Sequence, residues 1–162
     1  MEDLSLHLLD IAENALAAGA GRIAIRIFEE PKEDVMIIEI EDNGRGMDER
    51  AVNRAFHPFY TTKPEKRVGL GLPLFAQAAR EAGGNLEIQS APGANTVIRA
   101  RFQLSHPDLK PLGNMAETLA TLAVGHPEVQ FVFEHRQDGA VACRWDSKIT
   151  RTTGKADGEV YH

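Results

Sequence analysis

The chain has a single cysteine, Cys143, in 162 residues. No disulfide can close within it, and no pair of cysteines stands at metal-binding spacing. Its six histidines are scattered as His7, His57, His106, His126, His135 and His162, with no pair at a convincing ligand spacing. Basic charge is short as well: 18 Lys and Arg face 24 Asp and Glu, for a net charge of −6. A chain without a basic footprint is not built to follow a nucleic-acid backbone, although local groups remain able to hold a small anion. No apolar run approaches the roughly 20 residues of a membrane span. The first residues, "MEDLSLHLLDIAENAL", open on acids rather than a basic segment, unlike a secretory signal. These absences together predict a cytoplasmic protein with no membrane partner.

What is present is one core's worth of material. The hydrophobic fraction of 43% and the length suit a single domain with room for a small appendage. Leu4, Leu8, Ile11 and Ala15 recur at helical spacing and predict a helix from Leu4 to about Ala18, ended by Gly19 and Gly21. On that helix Asp10 and Asn14 lie about 40° apart, at the edge of the apolar stripe, with His7 beside them. "RIAIRIFEE" and "VMIIEIE" read as two strands joined by the polar turn "EPKED". A short helix is expected in "DERAVNRAF", then a long surface loop from His57 to Val68. "GLGLPLFAQAAREAGG" reads as a helix opening and closing on glycines, with Pro73 in its first turn. "NLEIQS" and "NTVIRARFQL" are two further strands. The order predicts a mixed or antiparallel sheet with helices on one face, a two-layer α/β sandwich.

From His106 the pattern changes to one helix, "GNMAETLATLAV", and a hairpin turning at Asp138-Gly139. The expected organisation is a main domain over residues 1–105, an appendage over 106–147 and a polar tail over 148–162. Part of the appendage must pack on the main sheet, and the rest is open to a partner or a second copy of the chain.

The stretch "IIEIEDNGRGM" ends a core strand on a carboxylate and two glycines. Taken alone it reads as a turn, since Asp, Asn and Gly are turn residues. Three segments in order change that reading: "DIAENALAAGA", "DNGRGM" and "FHPFYTTKPEKRVGLGL". Together they resemble the Bergerat-fold (GHKL) ATPases, which include sensor histidine kinases, MutL proteins, gyrase ATPase domains and the ninety-kilodalton heat-shock chaperones. The resemblance covers roughly Leu4 to Leu104, and the third segment is most similar to the histidine-kinase branch.

The resemblance implies Mg²⁺-ATP as ligand and a role for each matching residue. Asn14 would ligate Mg²⁺ through its amide oxygen, a hard neutral donor. Asp42 would accept a hydrogen bond from the adenine amino group. Gly44 and Gly46 would leave room for base and sugar. Gly69, Leu70, Gly71 and Leu72 would present backbone N–H groups to the phosphates at a helix start. Lys63 would reach the γ-phosphate, and Thr96 would help hold the base and its water.

Departures from the family pattern sharpen the expectation. Asp10 stands where hydrolysing relatives carry Glu, so it is the candidate general base, with shorter reach. Asn95 occupies a position where glycine is common, and Arg67 another. With only a few residues ahead of the first helix, the helical hairpin that bears a sensor kinase's phosphoacceptor histidine is expected to be absent, and His7 lacks the acid that usually follows such a residue. The expected function is a stand-alone ATP-binding domain acting on a separate protein, either as a kinase in trans, as a nucleotide-gated module, or as a slow ATPase.

Overall fold

The computed structural model describes residues 3–55 and 71–148. In chain order these form α1 (Leu4–Ala17), β1 (Arg22–Glu30), a 3-10 turn (Pro31–Glu33), β2 (Val35–Asp42), α2 (Glu49–Ala55), α3 (Gly71–Glu81), β3 (Asn85–Gln89), β4 (Thr96–Gln103), α4 (Met115–Gly125), β5 (Gln130–Gln137) and β6 (Ala140–Asp146). The strands make one mixed sheet in the order β3-β4-β2-β1-β5-β6, in which only β1 and β5 run parallel. This is the α/β sandwich expected of the Bergerat fold.

Alternation along the strands sorts the two faces. Ile23, Ile25 and Ile27 of β1, Met36, Ile38 and Ile40 of β2, Ile98, Ala100 and Phe102 of β4, and Phe131 and Phe133 of β5 are all buried in a single core. Leu4, Leu8 and Ile11 of α1, Phe75 and Ala79 of α3, and Leu119 of α4 join the same core. The opposite face carries charge, and its register is specific. Glu87, Arg99, Glu39, Arg26, Glu134 and Arg144 form one row across all six strands, with the sign alternating at every step. Arg99 Nε donates to Glu39 at 2.7 Å, Arg26 Nε to Glu39 at 3.1 Å, and Arg144 to Glu134 at 3.0 Å. A slip of one residue in any strand would break this row and also turn its apolar residues toward water.

The segment from His106 onward is continuous with this sheet. β5 pairs with β1 over Arg22–Glu29, and Phe131, Phe133, Cys143 and Trp145 are buried beside the isoleucines. The hairpin turns at Asp138 and Gly139, both at positive φ (53° and 78°), as the sequence predicts. The connection to α4 also passes over the start of α1. Leu4 N donates to Pro111 O at 2.8 Å and Ser5 N to Leu112 O at 3.0 Å. Two of the first-turn donors that a helix leaves unpaired are thereby satisfied by chain from beyond His106.

Candidate functional site

Asp42 is the last residue of β2 and its side chain is buried on the helix-covered face. Gly44 N donates to its Oδ1 at 2.9 Å. Burial raises its pKa above the ordinary aspartate value; the Gly44 hydrogen bond opposes the shift and the neighbouring Glu41 charge adds to it. Thr96, also buried, is its direct cross-strand partner on β4. The antiparallel register therefore places two buried polar side chains side by side at one end of the sheet; a second polar pair on this face, Glu29 and His135, lies toward the other end.

The turn after Asp42 is held from several sides. Asn43 Oδ1 accepts from Gly21 N at 2.7 Å and from Arg22 N at 2.9 Å, tying the turn to the start of β1. Arg45 N donates to Ala18 O at 3.0 Å and Arg45 Nη2 to Ala17 O at 3.1 Å, which covers the carbonyl end of α1. On the other side, Gly93 N donates to Arg45 O at 2.8 Å and Met47 N to Ser90 Oγ at 2.9 Å. Asn43, Arg45 and Ser90 are thus structural members of the site that the sequence did not single out. Asn43 and Arg45 looked like ordinary turn residues, and no sequence signal marked Ser90.

The glycines of this turn pack closely against protein. Their missing side chains make room for protein. A Cβ on Gly44 would lie 3.1 Å from both Ala18 Cβ and Ala18 O. One on Gly46, at φ +78°, would lie 2.0 Å from Ala91 O. The close approaches are to α1 and to the β3–β4 turn, and these fix the turn around Asp42.

The second half of the site is the start of α3. A Cβ on Gly71 would meet Asp10 Cβ at 2.7 Å, so Gly71 lets α3 begin directly against α1 at Asp10. Leu72 is buried in the core, which leaves only its backbone for a ligand. Asp10 and Asn14 are each half-buried, one turn apart on α1. α1 therefore acts as a spacer. Ala18 touches the Asp42 turn, Asp10 touches α3, and the eight residue steps from one to the other span about 12 Å, with Asn14 midway. His7, one turn before Asp10, is buried with its ring 6.2 Å from that of Phe75. Lys63, Gly69, Leu70 and the expected lid from His57 to Val68 lie outside the described residues.

A separate cleft of about 490 Å³ opens between the start of α4 and the strands, lined by Ile27, Leu112, Met115, Phe133 and His135 among others. It lies at the opposite end of β1 from the Asp42 pairing, about 13 Å away along the strand, and is distinct from the site above. Among the described residues no group of three or more His, Cys, Asp or Glu is placed to hold a metal, and no helix is long and apolar enough to cross a membrane.

Comparison with known proteins gives the same grouping. The family described as "Histidine kinase-, DNA gyrase B-, and HSP90-like ATPase" matches residues 2–106. A putative sensor protein of Shewanella frigidimarina is 34% identical over 109 residues, covering 67% of this chain and 16% of its own length. Sensor protein ChvG of Agrobacterium fabrum is 34% identical over 107 residues, 62% of this chain and 18% of its own. Nitrogen regulation protein NtrY of Azorhizobium caulinodans is 34% identical over 131 residues, 73% of this chain and 16% of its own. The chain thus spans less than a fifth of these relatives. The matched segment runs from α1 to the end of β4 and contains the Asp42–Thr96 pair, the α1 spacer and the start of α3, and on that basis the chain belongs to the histidine kinase-, DNA gyrase B- and HSP90-like family of ATP-binding ATPase domains.

Proposed function

We propose that this chain binds Mg²⁺-ATP along α1 and uses it to act on a separate protein, by phosphoryl transfer in trans. The observation that carries the proposal is the Asp42–Thr96 pair, an ionisable carboxylate kept buried beside a hydroxyl. One Asp42 oxygen is committed to Gly44 N. The other is left to accept from a ligand, and the adenine amino group is the donor that fits it. The base end lies at the Asp42 turn and the phosphate end at the start of α3. Asn14 lies between them, where its amide oxygen can join a Mg²⁺ ion otherwise held by phosphate oxygens and water. That ion would neutralise phosphate charge. Asp10, against the first residue of α3, is the group suited to orient a water or an acceptor hydroxyl near the terminal phosphate.

The relatives include proteins described as sensors and a Bacillus subtilis sporulation kinase, 37% identical over 68 residues. Their kinase character supports phosphoryl transfer over simple hydrolysis. Asp10, shorter than glutamate, supports slow hydrolysis by the chain alone. The test is incubation of the purified chain with γ-labelled ATP and Mg²⁺, with and without cell lysate. Label on a lysate protein supports transfer in trans. Free labelled phosphate alone marks an ATPase, and bound but intact nucleotide marks a nucleotide-gated module; either result rejects the kinase reading.

A further inference from the structure

Ser90 touches both halves of the base-reading corner. Its Oγ accepts from Met47 N at 2.9 Å, the residue that closes the Asp42 turn. The same oxygen lies 2.7 Å from Thr96 Oγ1, and either hydroxyl is able to donate across that distance. Thr96 in turn is the cross-strand partner of Asp42. The chain of contacts runs Met47 N–H, Ser90 hydroxyl, Thr96 hydroxyl, and ends beside the Asp42 carboxylate.

A hydroxyl has one proton to give and two lone pairs to fill. The Met47 N–H fills one Ser90 lone pair. A hydroxyl that accepts a hydrogen bond is polarised to donate a stronger one, so the favoured direction runs onward from Ser90 to Thr96. With that direction Thr96 Oγ1 accepts from Ser90, and its own proton is left to donate elsewhere. In that arrangement the corner presents two roles side by side, a donor at Thr96 and an acceptor at Asp42.

We infer that Ser90 is a positioning residue for base specificity: by fixing Thr96 as a donor beside the Asp42 acceptor, it selects adenine over hypoxanthine. Adenine offers an amino donor next to a ring-nitrogen acceptor, which complements this pair directly or through a water. Hypoxanthine offers the reverse, a carbonyl acceptor next to a ring N–H donor, and meets like with like at both positions. The inference rests on the nucleotide-binding reading above and adds to it the origin of the selectivity.

Removal of the Ser90 hydroxyl does not dismantle the corner. The Gly93–Arg45 backbone bond and the packing of Gly46 against Ala91 still clasp the two turns together. Without its partner, the Thr96 hydroxyl can rotate to donate or accept, and the base is read by Asp42 alone.

The experiment is calorimetric titration of wild type, Ser90→Ala and Ser90→Thr with Mg²⁺-ATP and with Mg²⁺-ITP, alongside melting temperatures. Wild type is expected to prefer ATP. Ser90→Ala should lose about three- to tenfold of that preference, the scale of one neutral hydrogen bond. Ser90→Thr keeps the hydroxyl and should recover most of it. A purely structural role would weaken both nucleotides equally, so an unchanged ATP-to-ITP ratio in Ser90→Ala overturns the inference, whatever the melting temperature. Failure of the wild type to bind ATP overturns the nucleotide reading itself, and this inference with it.

Discussion

Replacement of Asp42 by asparagine is the most informative single change, because it pulls binding and stability in opposite directions. In the wild type one carboxylate oxygen accepts from Gly44 N at 2.9 Å, and the second is available to a ligand. Asparagine has only one oxygen. If that oxygen keeps the Gly44 bond, the amide NH₂ faces the pocket and meets the adenine amino group donor to donor. If the amide flips, two N–H donors face each other at Gly44. Either arrangement loses a hydrogen bond to a charged acceptor, about 1.5–3 kcal/mol, or roughly ten- to a hundredfold in ATP affinity. Stability moves the other way. Burial raises the Asp42 pKa, so between its unfolded and folded values the native state binds more protons than the unfolded one. Stability from this group is therefore complete below the unfolded pKa and is lost as pH rises through the folded one. Once the pH is high enough to ionise it, the buried carboxylate is a cost, and Asp42→Asn removes it. The ligand-free variant should melt no lower than wild type at neutral pH, and any gain should shrink as the pH is lowered toward the carboxylate range. Calorimetry with Mg²⁺-ATP and thermal melts across pH measure both sides. Wild-type ATP affinity in Asp42→Asn, or a large loss of neutral-pH stability, would show that this carboxylate is structural and does not read a base.

Asp10→Asn should leave ATP affinity nearly intact and remove most turnover, whereas Asn14→Ala should weaken Mg²⁺-dependent binding itself; single-turnover phosphate release and titration with and without Mg²⁺ separate the two. Gly46→Ala should cost at least about 2 kcal/mol in urea unfolding, since it places a Cβ 2.0 Å from Ala91 O at a left-handed φ of 78°. An unchanged unfolding midpoint would mean that the turn moves freely off Ala91. Phe131→Ala should cost about 3–5 kcal/mol, the usual scale for a fully buried phenylalanine, and should unfold the chain in a single transition. Two separate transitions would mean that β5 and β6 form a unit of their own.

Much of the fold follows from local periodicity. The helical stripe of Leu4, Leu8 and Ile11 and the alternation of Ile23, Ile25 and Ile27 each set a period and a buried face without reference to anything distant. The Asp138-Gly139 turn is equally local, since its two residues tolerate the positive φ values that the hairpin needs. The continuity of the final hairpin with the main sheet was not legible in this way. It depends on β5 lying parallel beside β1, more than 100 residues away, and a strand's alternation says which face is buried but not which neighbour it pairs with. The site divides along the same line. Asp42, Asn14 and Asp10 could be nominated from the sequence because they stand in ordered motifs. Ser90 could not, because its importance comes from Met47 N and Thr96 Oγ1, which only the folded register brings to it. The packing role of Gly44 and Gly46 was hidden for a related reason. Sequence announces that a side chain is missing, and only packing tells whether protein or ligand fills the space.

That last distinction determines how the site is built. The glycines are used to bring the chain into close contact with neighbouring elements: Gly44 to α1, Gly46 to the backbone of the β3–β4 turn, Gly71 to the Asp10 side chain. Their close approaches leave the Asp42 turn and the start of α3 with little freedom relative to α1. Selectivity can then rest on very few side chains, because a donor and an acceptor discriminate only if their positions do not drift. The same logic reaches beyond the matched family segment. β1 is held on one side by β2, which ends in Asp42, and on the other by β5. α1 is held at its first turn by Pro111 and Leu112 and at its last by Arg45. Residues beyond His106 thus brace both elements that carry the site while contributing none of its candidate ligand-binding groups.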